Sequence, residues 1–192
     1  MTVETTDPRP QLQASLDQTQ REVESIQPHQ LGLSTPCAEF DVKTLLAHLV
    51  AVLRKLAVVG RGGDMTQVAD PADDAVADWT AAFRRTRSDF DQVWAVDDKL
   101  AEDFRLAWGT MTGSALLDAY AHEFTVHAWD LAQVTGLQRE LDPRLAEAAL
   151  DWYTHNVGEP DRVEGGPFAP AVPVAAEADV YTRLAGYVGR RI

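Results

Sequence analysis

The stretch Leu116-Leu-Asp-Ala-Tyr-Ala-His-Glu-Phe-Thr-Val-His-Ala-Trp-Asp-Leu131 decides how this chain is read. Four residues turn an α-helix by about 400°, so Glu123 and His127 project from nearly the same azimuth, one turn apart. The same face carries Leu116, Tyr120, Leu131 and Val134. A carboxylate and an imidazole inside an apolar stripe are costly to desolvate unless they pair or bind a cation. The pair is therefore a candidate metal site on a long buried helix. That helix opens at Thr112 or Gly113 and is stopped after Thr135 by Gly136.

Working outward, helical periodicity recurs. Apolar residues at 12, 16, 23 and 26 predict an amphipathic helix from Leu12 to Ile26, ended by Pro28. Asp41 is a good N-cap for a second helix reaching Gly60. From Thr44 to Leu53 it carries no formal charge, and its one strongly polar residue is His48. Pro71 fits the first turn of a third helix running to Val96, with Asp70, Asp73 and Asp74 at its positive end. Trp79, Phe83, Phe90, Val93 and Trp94 form its apolar stripe. Alternation between Asp97 and Gly113 is too weak to assign. Asp142-Pro143 caps a further helix to Val157, and Ala178 to Arg190 reads as a last short one. Residues 158–176 are rich in Pro and Gly and read as a surface loop; residues 1–9 read as a ragged start. The expectation is one all-α domain over 1–192, a four-helix bundle with an additional short C-terminal helix and no convincing strand. Sites in such bundles are built from inward side chains of different helices.

Composition limits the function classes. The chain has 192 residues, 17 basic and 30 acidic, with a net charge of −13. A nucleic-acid surface normally needs a basic face. The one concentrated basic segment, Arg84-Arg85-Thr-Arg87, is explained by a solvated helix face. No run approaches the roughly 18–20 apolar residues of a membrane span. Met1 to Gln13 has no signal-peptide core, so a cytoplasmic location is expected. The single cysteine, Cys37, excludes an internal disulfide and any CxxC motif.

A divalent metal with an open position needs three protein ligands. Glu123 and His127 supply two, and His48 is the natural third. Two nitrogens and a carboxylate suit Zn²⁺ first, then Ni²⁺, Fe²⁺ or Co²⁺. The bland alternatives are a core histidine bonded to a carbonyl, and an i,i+4 pair on a solvated face. His122-Glu123 superficially resembles a zinc-protease helix, whose histidines stand four apart. Here they are five apart and diverge by about 140°, which puts His122 outward or behind a ligand. Asp130 is either an orienting carboxylate, possible for substrate too, or a surface acid, the second being favoured. His29 and His155 read as surface residues. Cys37 reads as a small buried apolar group rather than a reactive thiol.

Two segments resemble a known family. Thr35-Pro-Cys-Ala-Glu-Phe-Asp-Val42 with Leu45-Leu-Ala-His48 is one. Glu123-Phe-Thr-Val-His-Ala-Trp-Asp-Leu-Ala132 with Thr135-Gly136 is the other. Both are similar to the mycothiol-dependent maleylpyruvate isomerase N-terminal type, within the DinB/YfiT-like superfamily of metalloenzymes. Within it, the chain resembles a single-domain metal-binding branch, whose C-terminal end Phe168 to Val174 and Leu184 to Arg190 also resemble. Phe40 stands where relatives commonly have Trp. The resemblance implies a DinB-like four-helix bundle with His48, Glu123 and His127 as metal ligands. It also implies mycothiol as co-substrate and a metal-dependent thiol transferase or isomerase-like activity on a small electrophile, with a homodimer as a further possibility. The characterised isomerase has a second domain; with the chain ending at Ile192, maleylpyruvate isomerisation itself is not expected. A non-catalytic metal or small-ligand binding module is the alternative, and a metal-free scaffold acting through dimerisation is a third.

Overall fold

The computed structural model describes residues 7–70, 76–163 and 168–190. Six helices are present among them: α1 (Arg9–Ser25), α2 (Val42–Gly60), α3 (Trp79–Trp94), α4 (Gly113–Thr135), α5 (Pro143–Asn156) and α6 (Val180–Tyr187). In the bundle, α1 packs on α4 and α3, and α2 packs on α3 and α4. The helices α5 and α6 pack on each other and against the outer side of α4. The helix α4 is therefore central and belongs to two apolar clusters. Leu116, Leu117, Ala121, Phe124 and Leu131 face the bundle, while Val126, Trp129 and Ala132 face α5 and α6. Trp129 is thus a core residue, as its neighbours in sequence suggest.

The helix starts follow side-chain chemistry. Asp41 accepts from the Thr44 amide at 2.8 Å, Asp78 from Ala81 at 2.9 Å, and Asp142 from Arg144 at 2.9 Å. Each such cap is worth about 1 kcal/mol. Gly136 ends α4 at φ 79°, a left-handed turn that its missing Cβ permits. At the other end of α4, a side chain on Gly113 would collide with the Lys99 carbonyl, so glycine lets the helix start close under the preceding turn.

Three expectations change. The third helix starts at Trp79, capped by Asp78, and Asp70 lies outside it. Pro71, Asp73 and Asp74 lie outside the described residues, as do Gly165, Gly166 and Pro167 of the long loop. The unassigned segment contains a hairpin, β1 (Asp103–Leu106) paired antiparallel with β2 (Gly109–Thr112), with Phe104 opposite Met111. Only β1 alternates cleanly between exposed and buried positions, and β2 is mostly exposed, which is why the period of two is faint. The final helix is shorter than read, and Gly189 at φ 79° turns the chain so that Arg190 returns to α4.

Buried polar groups stitch α1 to the rest. Thr19 Oγ1 donates to the Phe124 carbonyl at 3.1 Å, and Thr135 Oγ1 donates to Glu22 Oε2 at 2.9 Å. Gln18 donates to Tyr181 Oη at 2.8 Å and accepts from the Asp142 amide at 2.7 Å. These bonds satisfy groups whose burial would otherwise be costly. They also fix the rotation of α4, and so the direction of Glu123 and His127.

Candidate metal centre

His48 projects from α2, and Glu123 and His127 from α4. One ligand atom from each lies within 4.8 Å of the others. His48 Nε2 stands 3.1 Å from Glu123 Oε1, and the two imidazole centroids are 5.1 Å apart. Phe40 covers one side, its ring 5.0 Å from that of His48.

Each imidazole is held by a carboxylate on its far nitrogen. Asp70 Oδ1 is 2.8 Å from His48 Nδ1, and its other oxygen accepts from Lys55 Nζ at 2.7 Å. Asp130 Oδ2 is 2.9 Å from His127 Nδ1. Arg190 donates to both Asp130 oxygens, Nε to Oδ1 and Nη2 to Oδ2, each at 2.9 Å. With both Nδ1 atoms engaged, the Nε2 atoms are the nitrogens left for a ligand. A carboxylate on the outer nitrogen fixes ring orientation and raises basicity, as it commonly does in metal sites. Two imidazoles and a carboxylate, so oriented, fit a borderline divalent cation such as Zn²⁺.

The ionisation states follow. Burial disfavours charge on His48, but its bonds to Asp70 and Glu123 prevail and raise its pKa to about 9. Burial also works against the Glu123 charge, and the neighbouring His48 holds its carboxyl below the usual range. Asp130, wholly buried, is likewise held low by Arg190 and His127. Burial keeps His127 neutral, below the ordinary imidazole value. Tyr120 beside the site is pushed up by burial and by Glu123.

Two surrounding residues sit elsewhere than their sequence positions suggest. His122 does not point outward: it is 2% exposed, its ring centroid 5.2 Å from that of Trp152, and it stands apart from the trio. The helices α5 and α6 bury this side of α4, which spacing within one helix could not reveal. Asp130 is not a surface acid: it is 0% exposed beneath His127. Its counter-ion Arg190 comes from the chain end and left no local signal. Asp70 and Lys55 were also missed; Asp70 was absorbed into an acidic helix start. His29 is exposed, as is His155, and Cys37 is buried with its thiol pushed up by burial.

A family model described as the mycothiol maleylpyruvate isomerase N-terminal domain matches residues 12–132. The chain belongs to this family. Two relatives from Mycobacterium tuberculosis, the uncharacterized proteins MT0763 (strain CDC 1551 / Oshkosh) and Rv0738 (strain ATCC 25618 / H37Rv), are each 31% identical over 170 residues. In both cases the match covers 88% of this chain and 89% of the relative. Among solved structures, the crystal structure of the mycothiol-dependent maleylpyruvate isomerase superposes with a TM-score of 0.57 at 16% identity. That match covers 82% of this chain and 74% of the other. A histidine-to-alanine mutant of that enzyme gives 0.56 at 13% identity. The shared feature is the fold, a DinB-like helical bundle, as the sequence motifs implied. Among the described residues no helix is long and apolar enough to cross a membrane.

Proposed function

We propose that His48, Glu123 and His127 hold a divalent metal, zinc first, with nickel, iron or cobalt as alternatives. We further propose that the protein is a metal-dependent enzyme using a low-molecular-weight thiol, mycothiol, in S-transfer or isomerase-like chemistry. The observation that carries the reading is the convergence of the three ligand atoms from two helices, with each imidazole braced from behind by a carboxylate. Family membership supports mycothiol as the thiol.

A divalent ion there would supply a Lewis acid that stabilises a thiolate near neutral pH. The residues do the rest. His48 would hold the ion through Nε2 once that nitrogen has lost its proton to solvent, while its Nδ1–H stays on the ring and donates to Asp70. Asp130 and Arg190 keep His127 in the tautomer that offers Nε2. Phe40 and the apolar wall beyond it would line the space that the sulfur enters. The thiol loses its proton to solvent, and its sulfur forms a bond to an electrophilic carbon. In transfer a leaving group departs with its bonding pair; in isomerisation the sulfur itself departs after the carbon skeleton has rotated. A cytoplasmic, actinobacterial setting and a homodimer complete the proposal.

The test has two stages. Elemental analysis and zinc titration should give one equivalent in the native protein and below about a tenth in His48→Ala, the loss expected when one of three ligands goes. Calorimetric titration of the loaded protein with mycothiol should then show saturable binding. No metal in native protein rejects the centre. Full metal occupancy without thiol binding rejects the enzyme reading and leaves a metal-binding module.

A further inference from the structure

Beside the trio lies a cavity of about 1330 Å³, reaching from the Pro36 to Phe40 loop to the C-terminal segment. That exceeds the ~300–1,000 Å³ typical of a small-ligand site, so it can take a thiol and a second molecule together. Its walls are chiefly apolar and aromatic: Phe40, Met111, Tyr120, Trp152, Phe168 and Val172. Trp108, at the hairpin turn, is 61% exposed and stands at the rim.

The charges in this cavity decide what it can hold. Among the described residues lining it, Arg190 is the one arginine or lysine. Its charge is already matched by Asp130, through Nε and Nη2. The other ionisable groups on the wall are Glu39, Glu123, His48 and His127, with Cys37, Tyr120 and Tyr153, which burial keeps uncharged. Glu39 and Glu123 would repel an anion. A divalent ion in the trio would meet Glu123 and a thiolate, leaving no positive charge over. Without a metal, protonated His48 lies between Asp70 and Glu123, so its charge too is already matched. An anionic body placed here would lose its water without gaining an unpaired cation, which is strongly unfavourable.

We propose that the second substrate of this site is an uncharged, largely apolar electrophile with an aromatic or alkyl body, and not a dicarboxylate. This rests on the metal–thiol reading above for the word substrate. The cavity's preference for neutral apolar ligands stands on its walls alone.

The experiment measures binding, without turnover. N-phenyl-1-naphthylamine, a neutral probe that brightens in apolar surroundings, is titrated into the full chain in EDTA, then with zinc and saturating mycothiol. Displacement by 2-naphthol is compared with displacement by naphthalene-2,6-dicarboxylate, the same ring system with two charges. The expected result is saturable probe binding in both conditions, and displacement by the naphthol at a concentration at least ~30-fold lower. Trp108→Ala, which removes an exposed ring and leaves the core intact, should weaken the probe by about threefold. Ala119→Arg, which adds a cation to the α4 wall, should narrow or reverse the preference for the naphthol. Absence of probe binding, or a dicarboxylate that competes as well as the naphthol in either condition, would overturn the proposal. Failure of the metal reading appears separately, as zinc that does not bind, and leaves the EDTA arm decisive.

Discussion

Arg190 stands 60 residues beyond Asp130 in the chain, yet its guanidinium meets both Asp130 oxygens at 2.9 Å beneath His127. The chain end thus braces an imidazole on the central helix. Arg190→Met removes the cation and leaves a buried carboxylate facing a neutral ring. It should cost about 3 kcal/mol in stability, the usual penalty for breaking a buried pair from one side. Zinc affinity should fall by roughly 10- to 100-fold, because the His127 ring loses its fixed orientation. Urea denaturation in EDTA and zinc calorimetry read the two effects separately. An Arg190→Met protein as stable and as tight for zinc as the native one would show that the brace is idle.

The protonated His48 between Asp70 and Glu123 makes stability depend on pH. Its pKa is about 9 in the fold, against 6.5 for the free side chain. A raised pKa means that the folded state binds the proton more tightly. The contribution is complete below pH 6.5 and is lost as pH rises through 9. The full swing is on the order of 3 kcal/mol. Urea midpoints in EDTA should fall across this window, and His48→Gln should flatten the slope. A native protein with equal midpoints at both ends contradicts the ion triad.

Cys37 lines the cavity but is closed in, and burial raises its thiol above the ordinary value. Ellman's reagent at pH 7.5 should modify it roughly 100-fold more slowly in the folded protein than in concentrated urea. Cys37→Ala should retain one equivalent of zinc. Rapid modification in the native fold would reopen the reactive-thiol reading.

Two helix ends offer controls that touch none of the three ligands. Gly136→Ala forces a Cβ into a left-handed turn at φ 79°, and Asp41→Ala removes the acceptor of the Thr44 amide. Each should cost about 1 kcal/mol. The two sites lie on different helices, and the double mutant should be additive within about 0.5 kcal/mol. Zinc stoichiometry should stay at one in all three.

What could be read beforehand depended on the range of the interaction. Caps such as Asp41 and Asp142 and the stop at Gly136 act within a few residues, and the structure places them as the sequence suggests. Glu123 and His127 were legible because their spacing is a property of one helix. His48 was legible because it breaks an otherwise uncharged run. Asp130 and His122 were misread because α5, α6 and the chain end bury a side of α4 that looks polar in isolation. The hairpin was missed because β2 faces solvent and offers no alternation. Asp70, Lys55 and Arg190 act through partners on other segments, for which one sequence carries no mark.

The pairing of α1 with α4 has a consequence for biosynthesis. Thr19 bonds to the backbone of Phe124, 105 residues later. On a ribosome the first helix emerges long before its mate. Its apolar side must wait in a collapsed nascent chain or under a chaperone until the fourth has left the exit tunnel. Contacts so distant in sequence delay the rate-limiting step of maturation. Stalled or truncated translation products lacking the later half should therefore be sticky, short-lived species.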